Sequence, residues 1–459
     1  MREPGAILLV ACYELGHQPL AVAWPAAFLE RAGFAPAVLD LSVEPFDAER
    51  VRRARLVAIS VPMHTALRLG AAAAARVRAA NPGCHLCFYG LYAGLNADWL
   101  LAHGADAVLA GEVEPALVAL AERLERGEPP VVAHAGRPGA PALGRVDFPT
   151  PSRAALPSLK KYAHVERDGA LALAGYVEAS RGCKHLCRHC PIPPVYGGRF
   201  FVVDRDVVLA DVRQLVEAGA AHVTFGDPDF LNGPGHALAV ARAVHREFPD
   251  LTFDFTAKVE HLLRRRGDLP ELAALGCLFV VSAVESLSDV VLRHLDKGHT
   301  RADVVAALRA VREAGIALRP TWVPFTPWTS LDDYRAILDF VETEGLVDHV
   351  DPVQYSIRLL LPPGSLLLQS GALAPHLGPL VEDRFHYRWT HPDPLMDALQ
   401  ASVESLVAEA AKRREDPAVT FGRIRALADA VAGAPARPAP APADPARRRP
   451  PRLTEPWFC

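Results

Sequence analysis

The sequence lacks the features that would place a protein outside the cell, in a membrane or on a nucleic acid. No apolar run approaches the roughly 18 consecutive residues that cross a bilayer, and the first run, residues 6–11, has no basic flank like that of a signal peptide. Cysteine is scarce, with 8 in 459 residues, too few for a disulfide-rich secreted scaffold. The net charge of -4 gives no field that favours nucleic acid. We therefore expect a cytoplasmic protein with neither a membrane nor a nucleic-acid partner.

Three of the few cysteines stand close together, just after an apolar run. Cys183, Cys187 and Cys190 have the spacing C-x3-C-x2-C. A 4Fe–4S cluster usually takes four thiolates, so three would leave one iron open for another ligand. An open metal position indicates chemistry more often than structure. His185 and His189 leave a second interpretation open, a Cys3His zinc site in a non-catalytic, zinc-stabilised α/β binding protein.

Short apolar segments alternate with helical stretches in two regions, residues 1–128 and 171–395. In the first region the alternation predicts a doubly wound parallel sheet, with strands at residues 6–11, 36–41, 55–61, 85–89 and 105–110. In the second it predicts six βα units, a partial (β/α)6 barrel whose active face is the carboxyl end of its strands. These strands are expected at residues 171–179, 221–225, 251–256, 277–283, 317–323 and 350–357. The fold class is therefore α/β.

The remaining segments differ from these two regions in composition. Residues 129–170 are rich in proline with little periodicity, which is typical of an interdomain linker. Residues 396–432 form a helical segment that is expected to close the open side of the barrel. Residues 433–459 consist largely of Pro, Ala and Arg, a composition that predicts a flexible, disordered tail ending in Cys459.

The three-cysteine loop after a strand resembles the cluster motif of the radical SAM enzymes. In that family the open iron holds the amino and carboxylate groups of S-adenosylmethionine and supplies one electron. The resemblance implies an enzyme that cleaves S-adenosylmethionine reductively to a 5'-deoxyadenosyl radical. It also implies an external one-electron donor such as flavodoxin or ferredoxin, and a small-molecule or peptide substrate that the sequence does not name.

The resemblance extends to the ends of two barrel strands. Asp227 and Asp229 stand in a loop that resembles the one that meets the methionine amino group of the cosubstrate, and Glu285 resembles the acid that binds its ribose hydroxyls. An ionised carboxylate can accept from two donors at once, which suits an ammonium group and a ribose. The alternative is structural: the aspartates could cap the following helix, and Glu285 could pair with a surface cation.

Residues 1–128 resemble the cobalamin-binding domain that precedes many radical SAM barrels. Ser60 stands where a family serine meets the nucleotide tail of the corrinoid, and Gly90 with Gly94 replaces the family's glycine pair. The family's Asp-x-His-x-x-Gly loop is C-Y-E-L-G-H here, at residues 12–17, so no histidine occupies the place of the cobalt ligand. The resemblance allows cobalamin without a protein ligand beneath its cobalt, and a corrinoid-free radical SAM enzyme stays open as the alternative.

The end of the chain resembles a radical SAM group whose tail carries Cys, then Sec or Cys, then Ala-Glu-Pro. This chain ends in Glu-Pro-Trp-Phe followed by Cys459, the first residue of that signature. The resemblance implies a functional tail thiol at Cys459 and, through a recoded codon after it, a selenoprotein.

Overall fold

The structure is a computed structural model that describes residues 1–128, 133–134, 137–138, 140–435, 447 and 449–455. Cys459, the expected tail thiol, lies outside these residues. Among the residues described, no helix is long and apolar enough to span a membrane. The described residues form two large sheets, each with helices packed against it, and three two-stranded sheets.

Five apolar segments of the first 128 residues form a parallel sheet, and a short strand from the linker extends it. The strands of this region are β1 (Ile7–Ala11), β2 (Ala37–Asp40), β3 (Leu56–Ser60), β4 (His85–Tyr89), β5 (Ala107–Gly111), β6 (Ala133–His134), β7 (Arg137–Pro138) and β8 (Pro141–Ala142). The sheet order is β2-β1-β3-β4-β5-β8, with every pair of neighbours parallel. β1 and β3 are buried along their whole length, which explains their continuous apolar sequence.

Helices cover both faces of this sheet, which confirms the expected doubly wound arrangement. They are α1 (Leu20–Arg31), α2 (Ala48–Arg53), α3 (His64–Ala80), α4 (Leu91–Leu95), α5 (Ala97–Ala102) and α6 (Glu114–Glu125). Successive side chains of β1 pack on opposite faces of the sheet: Leu9 packs in the core that contains α1, and Leu8 packs in the core that contains α3. The loops at the carboxyl ends of the strands are left to form a site.

The second sheet is a half-barrel. The strands from the linker onward are β9 (His164–Arg167), β10 (Ala170–Val177), β11 (Ser180–Gly182), β12 (Phe200–Val202), β13 (His222–Phe225), β14 (Thr252–Thr256), β15 (Cys277–Glu285), β16 (Ala317–Trp322), β17 (Leu377–Val381), β18 (His386–Trp389) and β19 (Arg452–Leu453). The half-barrel has the order β16-β15-β14-β13-β10-β9-β19. Its strands from β10 to β16 are parallel, and β9 and β19 form an antiparallel edge.

The helices of the second part of the chain connect these strands and follow them. They are α7 (Ile192–Tyr196), α8 (Arg205–Glu217), α9 (Pro234–Glu247), α10 (Val259–Arg264), α11 (Leu269–Ala274), α12 (Asp289–Leu295), α13 (Arg301–Glu313), α14 (Leu331–Thr343), α15 (Pro394–Arg413) and α16 (Pro417–Val431). Both α13 and α14 begin with a capping box, which satisfies backbone donors of the first turn. α16 packs between α15 and α14.

One expected strand is replaced by another structure. Residues 350–357, all of them described, were expected to form the sixth barrel strand, but Pro352–Tyr355 is a 3-10 helix. Pro352 carries no backbone N–H, so it cannot donate to a strand ladder. A bridge between Phe325 and Arg358 lies just beyond, where the next strand would pair. The prediction of a partial barrel is confirmed, with five parallel strands in place of six.

The described end of the tail pairs with the half-barrel, a contact that its composition did not predict. β19 lies antiparallel to β9, with Arg452 opposite Glu166 and Leu453 opposite Val165. The guanidinium of Arg452 also pairs with the carboxylate of Glu166 at 2.7 Å. Composition alone predicted an extended, solvated segment here, whereas β19 forms the edge of the sheet.

Candidate active site between the two sheets

The carboxyl ends of the two sheets face each other across a cavity of about 270 Å³. The loops after β1, β3, β4 and β5 supply one wall, with Glu14, Ser60, Gly90 and Glu114 among its residues. The ends of β10 and β11 supply part of the other wall, including Glu178. Ser60 and Gly90, which the sequence predicted as cofactor contacts, therefore line one cavity, as expected for a ligand site at strand ends.

A close backbone approach explains the glycine in this wall. Gly90 has a φ of 111°, and a Cβ at this position would lie 3.2 Å from the carbonyl oxygen of Val61. Residues with a side chain rarely adopt this backbone conformation, and the space around Gly90 leaves little room for a Cβ. Glycine thus lets the loops after β3 and β4 meet directly beside the buried Ser60.

The three cysteines lie in the loop between β11 and α7. Cys183 and Cys187 are buried, Cys190 is partly buried, and all three thiols are free of disulfides. Gly182 begins the loop with a φ of 75°, and a Cβ there would lie 2.5 Å from the carbonyl oxygen of Arg199. The glycine therefore allows the chain to turn sharply into the cysteine loop.

The electrostatics of the thiols fit a metal site. Burial raises the pKa of the Cys190 thiol to about 12, and the neighbouring Cys187 and Cys183 raise it as well. Adjacent thiolates repel one another, so all three thiols ionise only when a positive charge is close to them. A bound metal provides this charge, and its binding releases the thiol protons. The donor set of three free, adjacent thiols thus fits an iron–sulfur cluster with one open iron.

Glu285 lies at the end of β15, beside the cysteine loop. Its carboxylate accepts from Nζ of Lys297 at 3.2 Å and lies 3.1 Å from Nε2 of His189. Burial alone would raise the pKa of Glu285, but Lys297 and His189 outweigh it and lower the pKa to about 2. A carboxylate therefore stays ionised beside the cysteine loop. His189, the residue before Cys190, contacts this carboxylate and so connects it to the cysteine loop.

The two aspartates after β13 have protein partners for their carboxylates. Asp227 accepts from the backbone N–H of Ala179 at 2.9 Å and from the hydroxyl of Ser180. Asp229 is fully buried, accepts from the N–H of Leu231 at 3.0 Å, and contacts Nδ1 of His261 at 2.8 Å. Asp229 caps a 3-10 helix, which is the structural alternative that the sequence left open for it, whereas Asp227 holds the strand before the cysteines, a contact that the sequence did not predict.

The two histidines of the cysteine loop have carboxylate neighbours. Nε2 of His189 faces Glu285, and the imidazole of His185 lies 3.7 Å from Asp229 and 3.8 Å from Glu260. His185, Asp229 and His261 could together hold a metal ion. Burial lowers the pKa of His185 to about 4, and the nearby Lys258 adds to this. A positive charge at Lys258 also disfavours a cation there.

The described residues of the first sheet that line the cavity include no lysine or arginine. Burial raises the pKa of Glu14 to about 8, although the backbone N–H of Ala21 opposes the shift, and Asp40 and Glu178 raise it further. Within the part of the chain that the structure describes, Oε1 of Glu14 is buried without a hydrogen-bond partner. The carboxyl is therefore neutral at pH 7, and a neutral carboxyl can donate as well as accept. Glu14 holds the position of the histidine in the resembled loop.

His17, three residues later, is engaged by two other parts of the chain. It is buried, its Nε2 lies 2.8 Å from Oε1 of Glu455, and its ring stacks on Tyr176 at a centroid distance of 4.7 Å. Glu455 lies two residues after β19, so the tail reaches the first-sheet wall of the cavity. The sequence did not predict this contact between residues 438 positions apart.

Comparison with known families accounts for both sheets. Residues 177–328 match the model of the Radical SAM superfamily, and residues 6–121 match the B12 binding domain. The chain thus contains one region similar to the B12 binding domain and a second region similar to the Radical SAM superfamily. It is therefore an enzyme. The radical SAM domain implies a 4Fe–4S cluster and S-adenosylmethionine as cofactors, and the B12-binding domain supports cobalamin.

Curated relatives are similar to part of this chain, and solved structures are similar to most of it. A putative methylthiotransferase of Methanocaldococcus jannaschii is 23% identical over 189 residues, which is 38% of this chain and 40% of that protein. The chain thus matches about two fifths of the length of this curated relative. Among solved structures, cobalamin-dependent S-adenosylmethionine radical enzyme OxsB, with aqua-cobalamin and S-adenosylmethionine bound, gives a TM-score of 0.68 at 14% identity, covering 91% of this chain and 70% of that one.

A second solved structure supports the same fold. The radical S-adenosylmethionine methyltransferase TsrM from Kitasatospora setae, with cobalamin and a 4Fe–4S cluster bound, gives a TM-score of 0.60 at 18% identity. The match covers 74% of this chain and 73% of that one. At these identities the likeness concerns the fold.

Sequence reasoning missed the cation beside Glu285 in the radical SAM domain. Lys297 follows Asp296, the residue that caps the C-terminus of α12 with a φ of 55°. This left-handed residue reverses the chain and returns Lys297 to the end of β15. Aspartate tolerates the conformation, and the Asp-Lys-Gly sequence after an apolar helix was the available signal.

Proposed function

We propose that this protein is a cobalamin-dependent radical SAM enzyme whose 4Fe–4S cluster is bound by Cys183, Cys187 and Cys190. The observation that carries the proposal is the shared cavity: Gly182 and Ile192, which flank the three cysteines, line it together with the strand ends of the B12-binding domain. In this proposal, both cofactor sites open onto this space between the domains.

When bound, the cluster supplies one electron to S-adenosylmethionine, and cobalamin supplies a carrier for a methyl group. The residues of the chain have separate tasks. The three thiols hold the cluster and leave one iron open. Glu285, held ionised by Lys297, accepts hydrogen bonds from the cosubstrate.

We propose that Asp227 and Asp229 fix the conformation of the loop after β13, which would face the cosubstrate. Asp227 holds the backbone of Ala179 and the hydroxyl of Ser180, at the entrance to the cysteine loop. Asp229 ties the loop after β13 to the backbone N–H of Lys258 at 3.2 Å. Both loops border the place where a cosubstrate would meet the cluster.

The B12-binding domain holds cobalamin through Ser60, Gly90 and the neighbouring loops in this proposal. The buried, neutral Glu14 in place of a histidine fits a corrinoid without a protein ligand to its cobalt. We further propose a small-molecule or peptide substrate that receives a methyl group, and flavodoxin or ferredoxin as electron donor. The names of the relatives, methylthiotransferase and methyltransferase, support group transfer.

Anaerobic reconstitution tests the proposal. The protein is loaded with iron, sulfide and hydroxocobalamin, desalted, and incubated with S-adenosylmethionine and a chemical reductant. We expect retained cobalamin in the absorption spectrum and 5'-deoxyadenosine by mass spectrometry. Loss of all cobalamin on desalting, with 5'-deoxyadenosine still formed, would favour the corrinoid-free enzyme. A fully loaded cluster that forms no 5'-deoxyadenosine would contradict the proposed cleavage.

A further inference from the structure

Arg181 lies two residues before the first cluster cysteine and connects the radical SAM domain to the B12-binding domain. Its Nη1 lies 2.6 Å from Oε1 of Glu114 and 3.3 Å from Oε2 of Glu112, both in the segment after β5. Its Nε lies 3.1 Å from Oε2 of Glu178, at the end of β10. One guanidinium therefore holds carboxylates of both domains.

The aromatic surroundings of Arg181 restrict its side chain further. The guanidinium carbon lies 4.4 Å from the ring centre of Trp24 in α1 and 4.8 Å from that of Phe148 in the linker. Glu112 and Glu114 have side chains that are only 1% exposed. A planar cation stacked on rings and bonded to buried carboxylates has little freedom to move.

The other flank of the cysteine loop is tied to the same place. The hydroxyl of Tyr196, at the end of α7, donates to Oε1 of Glu112 at 3.0 Å. Arg181 precedes the three cysteines and Tyr196 follows them. Glu112 therefore binds the segments on both sides of the loop. The backbone N–H of Glu112 donates to the carbonyl of Ala142 at 2.7 Å, which fixes the position of Glu112 itself.

The clamp consists of Arg181, Glu112, Glu114 and Tyr196. We infer that it is a positioning device that sets the distance and orientation of the cluster loop relative to the cobalamin face. The inference rests on the proposed function, because it assumes a cofactor in each domain. Burial raises the pKa of Glu112, although Arg181 opposes the shift, which is consistent with a clamp that has more carboxylates than cations.

The positioning role predicts a specific division of effects. Cosubstrate cleavage needs the radical SAM domain, whereas methyl transfer needs both domains in register. Misplacement of reacting groups by about 1 Å can cost about 100-fold in rate. Arg181→Met should therefore lower methyl transfer by at least tenfold, with a smaller loss in 5'-deoxyadenosine formation. A purely structural role would lower both together with the fraction of folded protein.

A matched control comes from another buried arginine. Arg425 is buried and pairs with Asp339 in α14 and Asp429 in α16, so its ion pairs lie within the second part of the chain. Arg425→Met removes a buried guanidinium in the same way, so it reports the cost to folding alone. Glu112→Gln provides a second variant that keeps the size of the side chain, in case Arg181→Met fails to fold.

The decisive readout is magnetic, on reduced holoenzyme that contains cob(II)alamin and the cluster. We expect the cobalt–cluster spin coupling of the wild type to weaken or broaden in Arg181→Met and Glu112→Gln, and to stay unchanged in Arg425→Met. Unchanged coupling in both clamp variants, with iron and cobalamin fully loaded, would overturn the inference.

A wild type without cobalamin would refute the proposed function rather than the clamp. The clamp is then judged by hydrogen exchange in the cluster-loaded protein. Faster exchange of residues 183–190 in Arg181→Met and Glu112→Gln, but not in Arg425→Met, would support it. Equal exchange in all variants would refute it.

Discussion

Glu285 is a buried residue and Glu14 a partly buried one whose Oε1 is shielded from solvent; both lie at the carboxyl ends of parallel strands, yet the first carboxyl is ionised and the second neutral. Glu285 has Lys297 and His189 within hydrogen-bonding distance, and its pKa falls to about 2. Glu14 has a backbone N–H and two acidic neighbours, and its pKa rises to about 8. The number of cations within reach, more than the depth of burial, decides the charge state.

The contrast suits the two proposed ligands. S-adenosylmethionine brings an ammonium and a ribose with hydrogen-bond donors, which an ionised acceptor can bind. A corrin ring with neutral amide side chains requires no such charge.

Lys297→Met should have the largest effect, because it removes the main cation beside Glu285. Breaking a buried ion pair from one side costs about 3–5 kcal/mol, since the other charge stays buried. We expect a loss of this size in the free energy of unfolding at pH 7, measured by denaturant titration. The double variant Lys297→Met with Glu285→Gln should recover most of it; an equal loss in the double variant would show that the pair is not the cause.

Glu14→Gln should change how stability depends on pH. The pKa of Glu14 is raised from 4.5 to about 8, so the folded state holds an extra proton between these values. The stability that this proton provides is complete below pH 4.5 and is lost as pH rises toward 8. The free energy of unfolding of the wild type should therefore fall by an amount on the order of 3 kcal/mol between pH 5 and pH 9, and this fall should be absent in Glu14→Gln. Denaturant unfolding at both pH values measures this, with the exposed Glu217→Gln as control; parallel curves for wild type and Glu14→Gln would contradict it.

Glu285→Gln should weaken the binding of S-adenosylmethionine without loss of iron. Losing a charged acceptor costs about 1.5–3 kcal/mol, or roughly 10- to 150-fold in Kd. Calorimetry on the cluster-loaded protein measures the affinity, and iron analysis of the same sample is the control. Equal affinity in the variant would remove Glu285 from the cosubstrate site.

The contact between His17 and Glu455 should have the smallest effect. A single side-chain hydrogen bond contributes about 1 kcal/mol net. A double-mutant cycle with His17→Gln and Glu455→Gln should give a coupling of about that size in unfolding free energy. The spectrum of bound cobalamin should be the same in His17→Gln as in the wild type. A changed spectrum would mean that His17, and not an unligated face, lies beneath the cobalt.

The parts of the fold that depend on local sequence were predictable. The apolar segments that became β1 and β15 are continuous runs with a turn after each. The sixth barrel strand was mispredicted because the apolar pattern around Pro352 outweighed the missing donor. The expected cofactor contacts Ser60 and Gly90 do share a cavity, and the role of the three cysteines stays a prediction.

The contacts that join distant parts of the chain could not be predicted from one sequence. Arg181 and Glu112 are 69 residues apart, and Arg452 and Glu166 are 286 apart. No periodicity relates such positions, because their meeting depends on how the two domains and the tail pack. The same reason explains why the charge state of Glu14 was not foreseen.

The iron content of the cysteine variants tests the central claim most directly. After anaerobic reconstitution the wild type should hold about four irons per chain, with a reduced-state resonance that shifts on addition of S-adenosylmethionine. Cys183→Ala, Cys187→Ala and Cys190→Ala should each lose the cluster, whereas Cys277→Ala, which removes a buried thiol from β15 of the half-barrel, should keep it. Unchanged iron in the three loop variants, or a resonance that ignores the cosubstrate, would contradict the account.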